Sequence, residues 1–309
     1  MLASIAAITF SICYAIALAL EIAQLNLRRF AWHRAALLVV AACGLVVHTL
    51  YLANRANETS AAPLSSPAEW LLLAAWVLAV VFIAGILYLP RAATGLILLP
   101  LILALAAASL VASNEPFAPE RASRFWGNLH GSVLLLGAVS VCLGFAAGLM
   151  YLVQAYWLKH RWAPSESVRL PSLEWLERIN TNALAVSALL IGLGFVSGII
   201  LNQLKHRGEA DYLLWSDPVV LSLGAMLLYL VAAEIFRLVY PAARRGRKVA
   251  YLTLASFGFL VLTLVSLLLV DNVHGKMNDG VGFLFRPDTV ATYDAYQSKK
   301  KPDPFSLTT

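Results

Sequence analysis

The stretch 129–157, LHGSVLLLGAVSVCLGFAAGLMYLVQAYW, runs for 29 residues without an Asp, Glu, Lys or Arg. A helix needs about 20 apolar residues to cross the roughly 30 Å hydrocarbon core of a bilayer. Outward from this stretch lie seven further apolar runs, at about 2–24, 35–54, 69–89, 93–113, 180–202, 219–240 and 249–270. None has the alternation of a barrel strand, and only helices or closed barrels satisfy the backbone in lipid. Hydrophobic residues make up 60% of the chain and its mean hydropathy is +0.76. A soluble globule of that composition would expose far too much apolar surface. The sequence therefore predicts an all-α, polytopic integral membrane bundle of about eight transmembrane helices. Residues 1–270 read as a single transmembrane domain and 271–309 as a polar extracytoplasmic tail.

Orientation follows from Lys and Arg, which collect on the cytoplasmic side. The first, third, fifth and seventh loops carry Arg28, Arg29, Arg34, Arg91, Lys159, Arg161, Arg169, Arg178, Arg244, Arg245, Arg247 and Lys248. The second, fourth and sixth carry Arg55, Arg121, Arg124, Lys205 and Arg207. Both termini are thus expected outside. The net charge of +6 reflects this asymmetry and the tail, and makes no case for nucleic acid. Met1 is followed directly by apolar sequence without a basic region, so the first run reads as a retained helix rather than a cleaved signal. Cys13, Cys43 and Cys142 all lie inside spans with no CxxC or CxxCH spacing, and read as small packing residues. The fifth helix can run from Trp126 to Trp157, roughly 48 Å at 1.5 Å per residue, which puts its start above the outer surface or tilts it strongly. Leu143-Gly144-Phe145-Ala146-Ala147-Gly148 resembles Leu193-Gly194-Phe195-Val196-Ser197-Gly198. Each is a small-xxx-small pattern that lets helices approach closely.

Ionisable groups inside a membrane are costly, which makes Glu21, His48 and Glu234 candidates. Glu21 and Glu234 lie toward cytoplasmic helix ends, where a long side chain can reach water. Glu234 also has Arg237 at i+3 as an ion-pair partner. His48 sits well inside the second span, with Cys43 and Thr49 as its nearest hydrophilic sequence neighbours; it reads either as a ligand or as a neutral imidazole bonded to a backbone carbonyl. His130 and His274 are the sharper pair, since the topology puts both at the outer water–lipid boundary. Two imidazoles on one face suit the axial positions of a haem iron, with aromatic rings against the macrocycle. Phe125, Trp126, Tyr212, Trp215 and Phe283 are available there, and Arg124, Lys205, Arg207 and Arg286 could pair with propionates. A zinc site using His130 and His274 with His206 or Asp271 is the rival, without HExxH or clustered Cys/His spacing to support it.

An ordered series of segments resembles the cytochrome c assembly protein family, in its CcsA/HemX-like branch. Leu129-His130-Gly131 opens a long helix ending Met150-Tyr151-Leu152-Val153-Gln154. There follow Leu170-Pro171-Ser172-Leu173-Glu174-Trp175-Leu176-Glu177 and a span bearing Gly192-Leu193-Gly194-Phe195 and Gly198. Trp215-Ser216-Asp217-Pro218, Arg245-Gly246-Arg247-Lys248 and a final span closing on His274-Gly275 complete it. The likeness covers about residues 125–276, and the first four spans match only in kind. It implies a multi-pass protein of the bacterial cytoplasmic (inner) membrane that presents haem b, as transient cargo, at the outer face for attachment to apocytochrome c. It also implies a ResB/CcsB-like membrane partner in a cytochrome c synthase complex. His130 and His274 would be the axial ligands, Trp126 and Trp215 would wall the ring, Asp217 falls in the Trp-rich segment, and Arg124 or Arg207 would meet the propionates. Two departures stand out. The Trp-rich segment is reduced to Trp215-Ser216-Asp217-Pro218, where Asp217 and Pro218 also read as a helix N-cap and first-turn proline. Glu234 stands near where a membrane histidine is usual. A HemX-like regulator or scaffold of haem biosynthesis without synthase activity, and a small-molecule transporter using His48 and Glu234, are the alternatives.

Overall fold

The structure is a computed structural model and describes residues 2–26, 31–58, 64, 66–89, 93–114, 121–161, 170–205, 217–240 and 246–270. Among them are eight α-helices: α1 Leu2–Asn26, α2 Ala31–Glu58, α3 Pro67–Tyr88, α4 Gly95–Val111, α5 Arg121–Lys159, α6 Leu173–Lys205, α7 Pro218–Val239 and α8 Arg247–Leu269. Seven are long and apolar enough to cross a membrane; α4, with 17 residues and Pro100 inside it, is the shorter one. The chain is a multi-pass helical membrane protein. The expected tail at 271–309 lies outside the described residues.

Two helix starts are written plainly in the chain. Ser66-Pro67-Ala68-Glu69 opens α3, with Ser66 Oγ accepting from Glu69 N at 3.4 Å and Pro67 in the first turn, where its missing N–H costs nothing. Asp217-Pro218 opens α7 the same way, with Asp217 Oδ1 accepting from Val219 N at 2.8 Å and Val220 N at 3.2 Å. The start of α6 departs from expectation. The apolar run places it near residue 180, yet the helix begins at Leu173. Ser172 Oγ accepts from Trp175 N at 3.3 Å, Glu174 pairs with Arg178 one turn on, and Leu176 is fully buried. That amphipathic turn is invisible to a hydropathy window. At 39 and 33 residues, α5 and α6 measure roughly 58 Å and 50 Å at 1.5 Å per residue, well beyond a bilayer core.

The helices form two rings of four. In each, every helix packs on its sequence neighbours and the first closes on the last: α1–α2–α3–α4 and α5–α6–α7–α8. The rings meet where α3 and α4 flank α5, and at the outer end, where Leu264 and Leu268 of α8 pack on Ala68, Leu71 and Ala112. Phe10, Tyr14, Leu78, Phe82, Leu99 and Ile102 fill the first ring, and Leu184, Ile191, Met226 and Leu230 the second. Burial against other helices cannot gain from water exclusion in lipid, so close approach and buried hydrogen bonds hold the rings. A Cβ at Gly144 would stand 3.2 Å from Ala183 Cβ, and one at Gly194 would overlap Leu134. The paired small-residue motifs of α5 and α6 are helix crossings. Tyr229 donates to Leu252 O at 2.9 Å between α7 and α8, and Trp76 Nε1 donates to Thr49 Oγ1 at 2.8 Å between α3 and α2.

One buried amide joins three helices. Oriented so that its oxygen meets a donor, Asn180 on α6 donates to Gly144 O (3.2 Å) and Thr253 Oγ1 (2.7 Å) and accepts from Ala250 N (3.2 Å). Ala250 lies in the first turn of α8, whose N-cap residue Gly246 offers no capping side chain.

A Cβ at Gly148 would lie 2.8 Å from Thr253 Oγ1 and 3.4 Å from Ala250 O. Gly148→Val should destabilise the protein by about 1–3 kcal/mol through overpacking, seen as a lower thermal midpoint in detergent. Orientation is checked in a cysteine-free background: an impermeant thiol reagent applied to intact cells should label Ala118→Cys and spare Ser165→Cys.

Candidate functional site

His130 lies nine residues into α5, roughly 13 Å along the axis from Arg121. Its ring turns onto α6. Nδ1 is 2.9 Å from Gly194 O and 3.1 Å from Ser197 Oγ, and the Ser197 hydroxyl donates to the same carbonyl at 2.7 Å. A carbonyl only accepts, so Nδ1 carries the proton and Nε2 keeps the lone pair. That is the tautomer in which an imidazole binds a metal through Nε2, oriented by the bond its other nitrogen makes. Room for the ring comes from Gly198, whose Cβ would sit 2.8 Å from His130 Cε1. Trp126, one turn earlier on the same stripe of α5, is half-buried. Trp70 of α3 presses against Gly131 from the other ring, where a Cβ would be 2.6 Å from its Cζ2.

The other expected residues separate into three groups. His274, Trp215 and Arg207 lie outside the described residues, as do His206 and Asp271 of the zinc alternative, and the side chain of Arg124 is likewise not described. Asp217 is described, and its carboxylate caps α7, nearly buried. His48 belongs to the first ring. Its ring is fully buried, stacked on Phe10 (centroids 4.1 Å apart, planes at 7°), with Nδ1 3.4 Å from Tyr14 OH. Among the described residues Nε2 has no hydrogen-bond partner. The nearest hydrophilic residues in sequence are not its neighbours in space: Thr49 serves Leu45 O and Trp76, and Cys43 is exposed.

Beyond His48 on α2, Tyr51 and Arg55 continue a polar line to the outer face. Arg55 donates to Tyr51 OH (3.4 Å), to Asn114 Oδ1, and through Nε to the buried Glu69 (3.0 Å). This clasp ties α2, α3 and the end of α4. The two membrane carboxylates have structural roles. Glu21 does not reach for water; it is 4% exposed and packed over Gly95 at the positive end of α4 and against Phe82. Glu234 pairs with Arg237 as its spacing predicts, and Arg237 also donates to Thr181 O on α6 at 3.4 Å. Among the described residues no three His, Cys, Asp or Glu side chains converge on one point.

Sequence reading missed Ser197, Gly198 and Trp70 as neighbours of His130. The repeated small-residue motif held the clue to the first two, since it marks where α6 lies closest to α5. Trp70 had no signal short of the tertiary fold. Comparison with protein families, with curated proteins and with solved structures finds no match to this chain.

His48→Phe should keep the stack on Phe10 while deleting an unsatisfied nitrogen, changing stability by less than about 1 kcal/mol. His48→Ala opens a cavity and should cost about 3 kcal/mol. Urea or thermal unfolding in detergent distinguishes the two, and equal losses would refute a packing role.

Proposed function

We propose that this chain is a haem-handling subunit of a cytochrome c biogenesis complex in the bacterial cytoplasmic membrane, holding haem b as cargo at the outer face for attachment to apocytochrome c. The observation that carries the reading is His130, an outer-end imidazole with its proton fixed on Nδ1 by Gly194 O and Nε2 left as the basic nitrogen. The start of α3 adds support. Trp70 packs at Gly131 beside His130, while Ala68 and Leu71 pack on Leu264 and Leu268 near the end of α8. His274 follows the end of α8 closely in sequence, which supports a reading that pairs it with His130.

In this reading His130 and His274 ligate iron, Trp126 and Trp215 wall the ring, and Arg124 and Arg207 meet the propionates. Asp217 acts at one remove, as the cap that fixes where the short Trp segment enters α7. The chain has no thiol placed for the attachment; it contributes position, holding the vinyl groups near the cysteine thiols of the acceptor, and the porphyrin supplies the reactive groups. A ResB/CcsB-like membrane protein is the partner of such an assembly. Glu234 is committed to Arg237, so the reading includes no inner haem site.

A HemX-like regulator is the second reading, favoured by the helical start of α6, where Glu174 and Arg178 stand largely exposed on the cytoplasmic side. It predicts that substitutions there matter and that those at His130 and His274 do not. A transporter built on His48 and Glu234 finds less support, because α2 and α7 belong to different rings.

Protein purified from haem-replete cells should show a low-spin Soret band that His130→Ala/His274→Ala abolishes. A wild-type protein without Soret absorption despite ample haem would refute the proposal.

A further inference from the structure

We infer that Gly194, Ser197 and Gly198 of α6 form an imidazole cradle whose task is to hold His130 as a metal ligand in one tautomer and one orientation. The inference rests on the haem reading above and names the residues that tune its ligand. Three atoms form a closed triangle: His130 Nδ1, Gly194 O and Ser197 Oγ, at 2.9, 3.1 and 2.7 Å. Only two protons serve it. The Ser197 hydroxyl gives its proton to the carbonyl, so its oxygen faces Nδ1 with a lone pair. Both neighbours of Nδ1 are then acceptors, and together they hold the imidazole proton on that nitrogen. Ser197 is itself buried, so water does not compete for these bonds.

Gly198 supplies the third element. A Cβ there would lie 2.8 Å from His130 Cε1 and 3.3 Å from Nδ1, so any side chain displaces the ring from its two acceptors. A histidine that merely filled space between α5 and α6 would need none of this; the nearby Leu134 fills the equivalent gap at Gly194 with no polar partner. Holding the N–H of a ligating imidazole against a carbonyl raises the basicity of the other nitrogen and fixes the ring plane. Ser197 and Gly198 are thus positioning residues acting through His130.

The test replaces the side chain by a free ligand. In His130→Gly, loaded with ferric haem b, the spectrum should become high-spin. Added imidazole, which keeps an N–H to give to Gly194 O and Ser197 Oγ, should restore the low-spin Soret band. N-methylimidazole ligates iron equally through its basic nitrogen but has no N–H, and should need about tenfold higher concentration. Adding Gly198→Ala to His130→Gly should remove imidazole restoration. The contrast between the two free ligands is made within one protein preparation, so a loss of folding cannot imitate it. Equal potency of the two ligands, restoration by neither, or indifference to Gly198→Ala overturns the cradle while leaving the haem reading standing. A wild type with no haem spectrum, or His130→Gly that stays low-spin without additive, overturns both.

Discussion

Hydrocarbon offers no partner to an N–H or a C=O, and each polar atom carried into the bilayer must find its partner within the chain. That requirement organises the bundle more than apolar packing does, because lipid tails accommodate Leu and Ile as well as a neighbouring helix does. Ser11, Thr49, Ser140 and Thr263 fold their hydroxyls back onto the carbonyl four residues earlier. Such back-bonding lets a hydroxyl ride inside an apolar helix. Groups that cannot be satisfied locally are satisfied across helices, and those are the contacts that fix the architecture. Asn180 locks α6 to α5 and to the first turns of α8. Arg34 reaches Ile86 O at the inner end of α3 at 3.0 Å, and Arg55 with Glu69 closes the outer end.

The two rings use this rule differently. In the first, a line of polar groups runs along α2 from His48 through Tyr51 to Arg55 and ends in a clasp with Glu69 of α3. In the second, they sit at helix crossings beside glycines, where backbone carbonyls are exposed to side chains of the facing helix. The α5–α6 hairpin has close crossings at Gly137, Gly144, Gly194 and Gly198, and it carries His130. His130, at such a crossing, meets a carbonyl; His48, in the aromatic interior of the first ring, meets the rings of Phe10 and Tyr14. Helix spacing therefore determines what chemistry each imidazole can have.

Much of the fold was legible in the chain. Eight apolar runs gave eight helices, Asp217-Pro218 gave the cap of α7, Glu234 with Arg237 gave the ion pair, and the small-xxx-small motifs gave the α5–α6 crossings. Each of these is a local pattern, with its partners three or four residues away or its spacing set by one helix. The grouping into two rings was not legible, since nothing local says that α4 returns to α1 or α8 to α5. The early start of α6 was hidden because its turn is amphipathic. Glu21 was misjudged for a related reason: its position near a helix end suggests water, whereas its actual neighbour is the first turn of α4, far along the sequence. At the site, His130 and Trp126 were legible from their place at the head of α5. The partners that give His130 its tautomer come from a helix more than 60 residues later.

His130 and His48 show why those partners matter. Around His130 both neighbours of Nδ1 are acceptors, so the proton belongs there and Nε2 presents a lone pair. Among the described residues the one polar contact of His48 is Tyr14 OH, which can give or take. If the imidazole donates to Tyr14, the phenolic O–H and the Nε2 lone pair are both left unpaired. If Tyr14 donates to Nδ1, a single Nε2–H is left, and each unpaired polar atom in a dry interior costs about 1–3 kcal/mol. The second arrangement is the cheaper by one orphaned group. His48 therefore carries its proton on Nε2, the nitrogen with no acceptor, and in this state offers a metal nothing. One sequence thus places two imidazoles in the same bundle and gives them opposite tautomers, one suited to ligation and the other to a stack on Phe10.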